Sequence, residues 1–157
     1  MLKEIADEFD KWAAVGRAES MAIGHQSVTS QMLETISFTS KMVVADVGCG
    51  NGWAVEDMLK RGAGYGYGFD VSNGMIELAE QRGSERSKYI VAPGSKLPIE
   101  DQTLDFILSV ESLYYHPDPS KSVREWKRVL RNTGRAAVMV DLYQENKATH
   151  TWIDALS

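Results

Sequence analysis

Three glycines and two acids are the residues of this chain best suited to chemistry. Gly48, Gly50 and Gly52 stand in the spacing G-x-G-x-G directly after the apolar run Val43–Val47, whose only acid is Asp46. Helix-forming residues follow the last glycine. A strand entering a tight turn and then a helix suits that composition. Glycine permits the turn its backbone angles and removes the Cβ atoms that would block a ligand. The helix N-terminus beyond the turn leaves free N–H groups pointing outward. The stretch is expected to form a nucleotide-type pocket.

Which nucleotide is decided by charge. A dinucleotide-binding turn runs G-x-G-x-x-G and cradles a pyrophosphate. Here the third glycine comes one residue early, at Gly52, and Asp46 sits two residues before the first. A carboxylate beside the turn repels a pyrophosphate and favours a cation. Asp70, ending the next strand-like segment, suits the hydroxyls of a ribose in either case. A nucleoside carrying positive charge and no phosphate is therefore expected. S-adenosylmethionine (SAM), with its sulfonium and ammonium, meets that description.

The elements that must position these groups follow from periodicity. Leu2, Ile5, Phe9 and Trp12 recur at helical spacing, which predicts one amphipathic helix over 2–18. Val28, Met32, Leu33 and Ile36 predict a second helix before a strand at 42–47. A helix over 52–61 is ended by Gly62. Tyr65, Tyr67 and Phe69 alternate with Gly66 and Gly68, giving a strand at 65–70 with one bulky face and one bare face. Ser72 suits an N-cap for a helix through Gln81. Short strands are expected at Tyr89–Val91 and Leu104–Val110. Asp118-Pro119 reads as an N-cap with proline at the first helical position. Val123, Trp126, Val129 and Leu130 mark that helix's inner face, and Asn132-Thr133-Gly134 turns the chain into a strand at 135–141.

Five strands separated mostly by helices predict an α/β fold, a doubly wound, mostly parallel sheet. Ligands in such sheets bind beyond the carboxyl ends of the strands, where strand order reverses. That rule gathers Gly48–Gly52, Asp70, Ala92–Ser95 and Val110–Tyr115 around one crevice. At 157 residues the chain has the length of one domain. A net charge of −5 argues against nucleic acid and anionic membranes as partners. One cysteine, no apolar run of membrane-spanning length and no signal-peptide pattern suit a cytoplasmic protein.

In its ordered motifs the chain resembles the class I SAM-dependent methyltransferases, especially the type 11 group acting largely on small molecules. Val44–Gly52 is similar to the first motif, and Gly68-Phe69-Asp70-Val71-Ser72 with Met75-Ile76 to the second. Leu97-Pro98-Ile99 with Leu104-Asp105-Phe106, then Glu125 to Gly134 around Arg128-Val129-Leu130, complete the resemblance over about residues 27–142. It implies a Rossmann-like methyltransferase fold and SAM as cofactor. Gly48, Cys49, Gly50 and Gly52 would wrap the methionine part, with Asp46 near its ammonium. Asp70 would bind the ribose, Val71 and Met75 would pack on the adenine, and Gly94 and Ser95 would line its edge. Val110 would approach the amino-acid portion, and Arg17 would pair with the SAM carboxylate.

Three departures stand out. Pro93 replaces an acid that often precedes the adenine-edge residues, Arg131-Asn132-Thr133-Gly134 replaces Lys-Pro-Gly-Gly, and the chain ends at Ser157. A single domain over 1–157 is expected, with a lid helix at 1–26, a core at 27–142 and a C-terminal helix at 143–157. That leaves no room for the family's final antiparallel strand pair. Either the chain is shortened, or a homodimer or another partner covers the exposed edge of strand five.

Methyl transfer needs no nucleophile or metal. Acceptor, methyl carbon and sulfur must be held in line, in a preorganised, water-poor site. No catalytic residue is assigned. Glu111, Tyr114, Tyr115 and His116 are the candidate bases, although His116 reads first as a structural loop residue, Tyr114 and Tyr115 first as pocket wall, and Glu111 equally as a group for the SAM ammonium. His25, His116 and His150 lack metal-ligand spacing. Cys49 reads as a small residue that fits the turn, Phe9 and Trp12 as packing residues, and Trp53 as packing or ligand contact. No Asp-Pro-Pro-Tyr signature of base or glutamine methylation follows strand four. The leading function is methyl transfer from SAM to a small molecule. A non-catalytic SAM- or partner-binding domain and a nicotinamide-dependent oxidoreductase are the alternatives.

Overall fold

Residues 1–140 are described by the structure, a computed structural model. In chain order they form α1 (Leu2–Ala14), α2 (Arg17–Glu34), β1 (Val43–Val47), α3 (Trp53–Lys60) and β2 (Tyr65–Asp70). There follow α4 (Asn73–Arg82), β3 (Ser87–Val91), β4 (Leu104–Val110), α5 (Pro119–Val129) and β5 (Leu130–Met139). All strand pairings are parallel, in the order β3-β2-β1-β4-β5. Chain direction across the sheet therefore reverses between β1 and β4, the position at which such sheets bind ligands.

β1 is buried on both faces, which is why its sequence is almost unbroken apolar. Val44 packs with Leu33 of α2, with Val55, Met58 and Leu59 of α3, and with Phe106 and Leu108 of β4. Ala45 and Val47 face the other way, toward Phe69, Ile107, and Trp126 and Val129 of α5. The bare face of β2 is used as expected: a Cβ on Gly66 would collide with Val55, and one on Gly68 with the Tyr89 ring. Ser72 caps α4 by accepting from Met75 N at 3.0 Å, and Asp118 caps α5 by accepting from Lys121 N at 2.9 Å.

Four expectations are corrected. The helix over 2–18 is two helices, broken where Gly16 adopts φ 73° and sends α2 off in a new direction. α2 buries Ala18, Ala22, Thr29 and Leu33, whereas Val28 is 58% exposed. α5 buries Ser122, Trp126 and Val129, leaving Val123 50% exposed. Regular pairing of β5 begins at Arg135, because four residues separate Leu130 from Arg135 where one separates their partners Leu104 and Phe106. Asn132–Gly134 bulge there in place of a turn before the strand. The edge of β5 carries the exposed Val138, and the expected helix at 143–157 lies outside the described residues.

Candidate active site

At the carboxyl end of β1 the chain reverses through Gly48, at φ 81°. Gly48 N and Cys49 N both donate to Phe69 O, at 2.7 and 3.0 Å, which ties the turn to β2. A Cβ on residue 48 would overlap the Ser112 side chain, so the loop after β4 closes on the turn only because that position is glycine. Asp70, at the end of β2, braces both neighbours. Its Oδ2 accepts from Gly50 N at 3.0 Å and its Oδ1 from Ser72 N at 2.9 Å.

A cavity of about 360 Å³ opens over these groups, within the size range of small-molecule sites. Arg17, Asp46, Gly48, Cys49, Gly50, Asp70, Val71, Met75, Gly94, Ser95 and Val110 all line it. Gly52 does not, which corrects its expected place at the ligand. It starts α3 in the left-handed conformation and is backed by the Tyr89 ring, whose hydroxyl donates to Gly52 O at 3.3 Å. The third glycine serves the helix, not the pocket. Gly94 is held from behind as well, its carbonyl accepting from Trp126 Nε1 at 3.1 Å.

Charge in the cavity is unbalanced. Burial, with Asp70 nearby, pushes the Asp46 carboxyl up to about 8, and its Oδ1 is buried with no hydrogen-bond partner among the described residues. Burial also raises Asp70, against the lowering effect of the Ser72, Gly50 and Val71 amides. The same desolvation and the two acids push the Cys49 thiol well up, so it is a neutral filler of the turn and no nucleophile. Among the described residues no cluster of His, Cys, Asp and Glu could hold a metal ion.

α1 roofs the cavity. None of its residues is buried, yet Leu2, Ile5, Phe9 and Trp12 all line the pocket. Phe9 and Trp12 are thus pocket wall, a correction to their reading as simple packing residues; the stripe faces a hollow where a core was expected. Arg17 lies 4.0 Å over the Trp12 ring at the α1–α2 elbow. Asp10 latches the roof: its Oδ1 accepts from Ser72 Oγ at 2.5 Å and from Gly74 N at 2.9 Å. Asp10→Ala is expected to cost about 1–2 kcal/mol of local stability. Amide exchange of α1 should speed by roughly tenfold with little change in the sheet; unchanged α1 protection would remove the latch.

The remaining wall is the segment after β4. Glu111 holds a positive φ of 50°, and Tyr114 donates to its carboxylate at 2.8 Å. Tyr115 meets the edge of Phe9, and His116 sits between Ser112 and Ser122. Trp53 also lines the cavity, as do Asn51 and Ser112 from the segments the sequence gathered there, and Ala18, Met21 and Ala22 of α2, which the sequence did not single out.

A family model described as a methyltransferase domain matches residues 45–138. The chain belongs to the class I SAM-dependent methyltransferases. The methyltransferase GfsG of Streptomyces halstedii is 29% identical over 132 residues, covering 81% of this chain and 48% of that protein. Among solved structures, a chain of the complex between the Haloferax volcanii Trm112 methyltransferase activator and a protein described as a methyltransferase is 31% identical. Its TM-score is 0.84, covering 94% of this chain and 66% of the other. An S-adenosylmethionine-dependent methyltransferase from Mesorhizobium loti is 26% identical, with a TM-score of 0.60 and coverage of 65% and 47%. The chain spans about half the length of the curated relatives it matches.

SAM is the cofactor of this family, and the pocket fits it. Two neighbouring buried acids, one with an oxygen that no described residue satisfies, ask for a cationic ligand. The glycine turn leaves room beside them.

Proposed function

We propose that this domain transfers the methyl group of SAM to a small-molecule acceptor by in-line displacement. The observation that carries the reading is the pairing of Asp46's unsatisfied oxygen with an aromatic, roofed space in one cavity. Asp46 would hold the ammonium, Asp70 the ribose hydroxyls, and Arg17 the carboxylate. Backbone at Gly48, Cys49 and Gly50, with Val110, would line the amino-acid arm. Val71 and Met75 would pack on the adenine, with Gly94 and Ser95 at its edge. When bound, SAM supplies a methyl carbon already activated by its sulfonium. The protein's share is then alignment and exclusion of water, for which the α1 roof and the Phe9, Trp12 and Tyr115 rings are suited.

The acidic composition and the enclosed pocket favour a small acceptor over nucleic acid. A single domain over 1–157 in the cytoplasm is the setting proposed. A second copy or another protein on the β5 edge completes the picture, consistent with the activator complex formed by one structural relative. Among the described residues no helix is long and apolar enough to cross a membrane.

SAM and S-adenosylhomocysteine are expected to raise the melting temperature, and NAD(H) and NADP(H) to leave it unchanged. Mass action gives about 2.7 kcal/mol at a hundredfold excess over Kd. A shift with the nicotinamides alone would end the proposal.

A further inference from the structure

The segment after β4, between Gly48 of the turn, Gly94 and the start of α5, carries a run of hydrogen bonds. His116 Nδ1 lies 2.8 Å from Ser122 Oγ, and Nε2 lies 3.3 Å from Ser112 Oγ. Ser122, 1% exposed on the first turn of α5, also reaches back to Asp118 O at 3.4 Å. A neutral imidazole carries its proton on one nitrogen only. With the proton on Nδ1, three bonds form: Nδ1–H donates to Ser122, the Ser122 hydroxyl to Asp118 O, and the Ser112 hydroxyl to Nε2. With the proton on Nε2 there are two, since Ser122 must turn its hydrogen to Nδ1 and releases Asp118. Buried hydroxyls favour the fuller set. The Nε2 lone pair then faces Ser112, which lines the cavity with His116 and abuts Gly48.

The surroundings keep this ring neutral. Ser122 and Trp126 face it from α5, Gly94 from the β3–β4 connection, and Ser112 from its own segment. None of these bears charge, and burial lowers the His116 pKa. The charged residues of its own segment are engaged elsewhere. Glu111 accepts from Tyr114, and Asp118 caps α5 at Lys121 N.

Building on the methyl-transfer reading, we propose that His116 is the general base of this site and that the acceptor is a hydroxyl compound, a phenol or alcohol whose apolar body rests against Phe9, Trp12 and Tyr115. A thiol ionises readily unaided and an unprotonated amine brings its own lone pair. A hydroxyl is the acceptor whose proton must leave as the new bond forms. The acceptor oxygen bonds the methyl carbon as the carbon–sulfur bond breaks, its electron pair staying on sulfur. The hydroxyl proton passes to Nε2, directly or through Ser112, and the imidazolium returns it to solvent. Ser122 is a positioning residue that holds the tautomer.

The test uses the full chain with isotope-labelled histidine, saturated with S-adenosylhomocysteine, and para-nitrophenol as the acceptor probe. The chain has three histidines, so His116→Gln assigns the signal. Nitrogen NMR at neutral pH is expected to show an uncharged ring protonated at Nδ1, with part of that proton moving to Nε2 in Ser122→Ala. At a pH where the free probe is mostly neutral, the complex should hold it as the phenol, and product formation should rise with pH through an ionisation on the acid side of the usual histidine range, which His116→Gln should remove. Homocysteine-thioether production from SAM and the probe should fall about a hundredfold or more in His116→Gln. A ring protonated at Nε2, or a pH profile of product formation that His116→Gln leaves unchanged, overturns the base. A complex that binds S-adenosylhomocysteine yet takes up no phenol overturns the hydroxyl class. Loss of SAM and S-adenosylhomocysteine binding by the unmodified chain, read by thermal shift, instead removes the methyl-transfer reading itself.

Discussion

Asp46→Asn is expected to make the ligand-free domain more stable and to abolish most of its affinity for SAM. The carboxyl is pushed up to about 8 because folding strips its water and sets Asp70 beside it. A raised carboxylate pKa means that the folded state binds the proton more tightly than the unfolded chain does. Stability from this group is therefore lost as pH rises from about 4, where the unfolded acid ionises, to about 8. Each tenfold weakening of the acid is worth about 1.4 kcal/mol, so even part of the displacement amounts to about 2 kcal/mol at pH 7. Asparagine removes that slope, and the melting temperature should rise by about 4–8 °C at neutral pH.

A cationic ligand reverses the sign. It favours the ionised form, so SAM binding by the unmodified chain should release a proton near neutral pH. Asp46→Asn should release none and bind about 10–100 times more weakly, the worth of a charged hydrogen bond. Calorimetry in buffers of different ionisation enthalpy reads both effects. Unaltered SAM affinity in Asp46→Asn would exclude the ammonium contact.

Asp70→Ala should lose SAM binding too, but with the opposite effect on the fold. From the sequence, Asp70 read only as a group for the ribose hydroxyls. In the structure its two oxygens serve Gly50 N and Ser72 N. Removing them strands two backbone donors, at about 1–3 kcal/mol each before water enters the cavity. A loss of about 2–4 kcal/mol in urea unfolding is expected, with no thermal shift on adding SAM. Asp70→Asn keeps one acceptor oxygen and should recover part of the stability without recovering the affinity. An Asp70→Ala protein that binds SAM as the unmodified chain does would rule out the ribose contact.

These two acids show how far local pattern reaches. β1, β4 and the caps at Ser72 and Asp118 were legible because their signals lie within a few residues of one another. The break at Gly16 was not, since apolar spacing continues on both sides and a lone glycine only weakly punctuates a helix. Gly52 was misplaced because the G-x-G-x-G spacing does not say which glycine meets the ligand and which starts α3. The Asp10 latch joins residues 62 and 64 positions apart, and no local signal announces it.

By itself the sequence determined that a strand, a glycine turn and a helix meet beside an acid, and hence that the ligand is a cationic nucleoside. Those are properties of neighbouring residues and of the chain's own backbone freedom. Only the tertiary structure decided that Asp46 Oδ1 is left without a hydrogen-bond partner among the described residues, that α1 covers a hollow, and that Ser122 meets the His116 ring. Hydrophobic period reports that a face turns away from water. Whether it then meets a core or a cavity depends on segments far away in the chain.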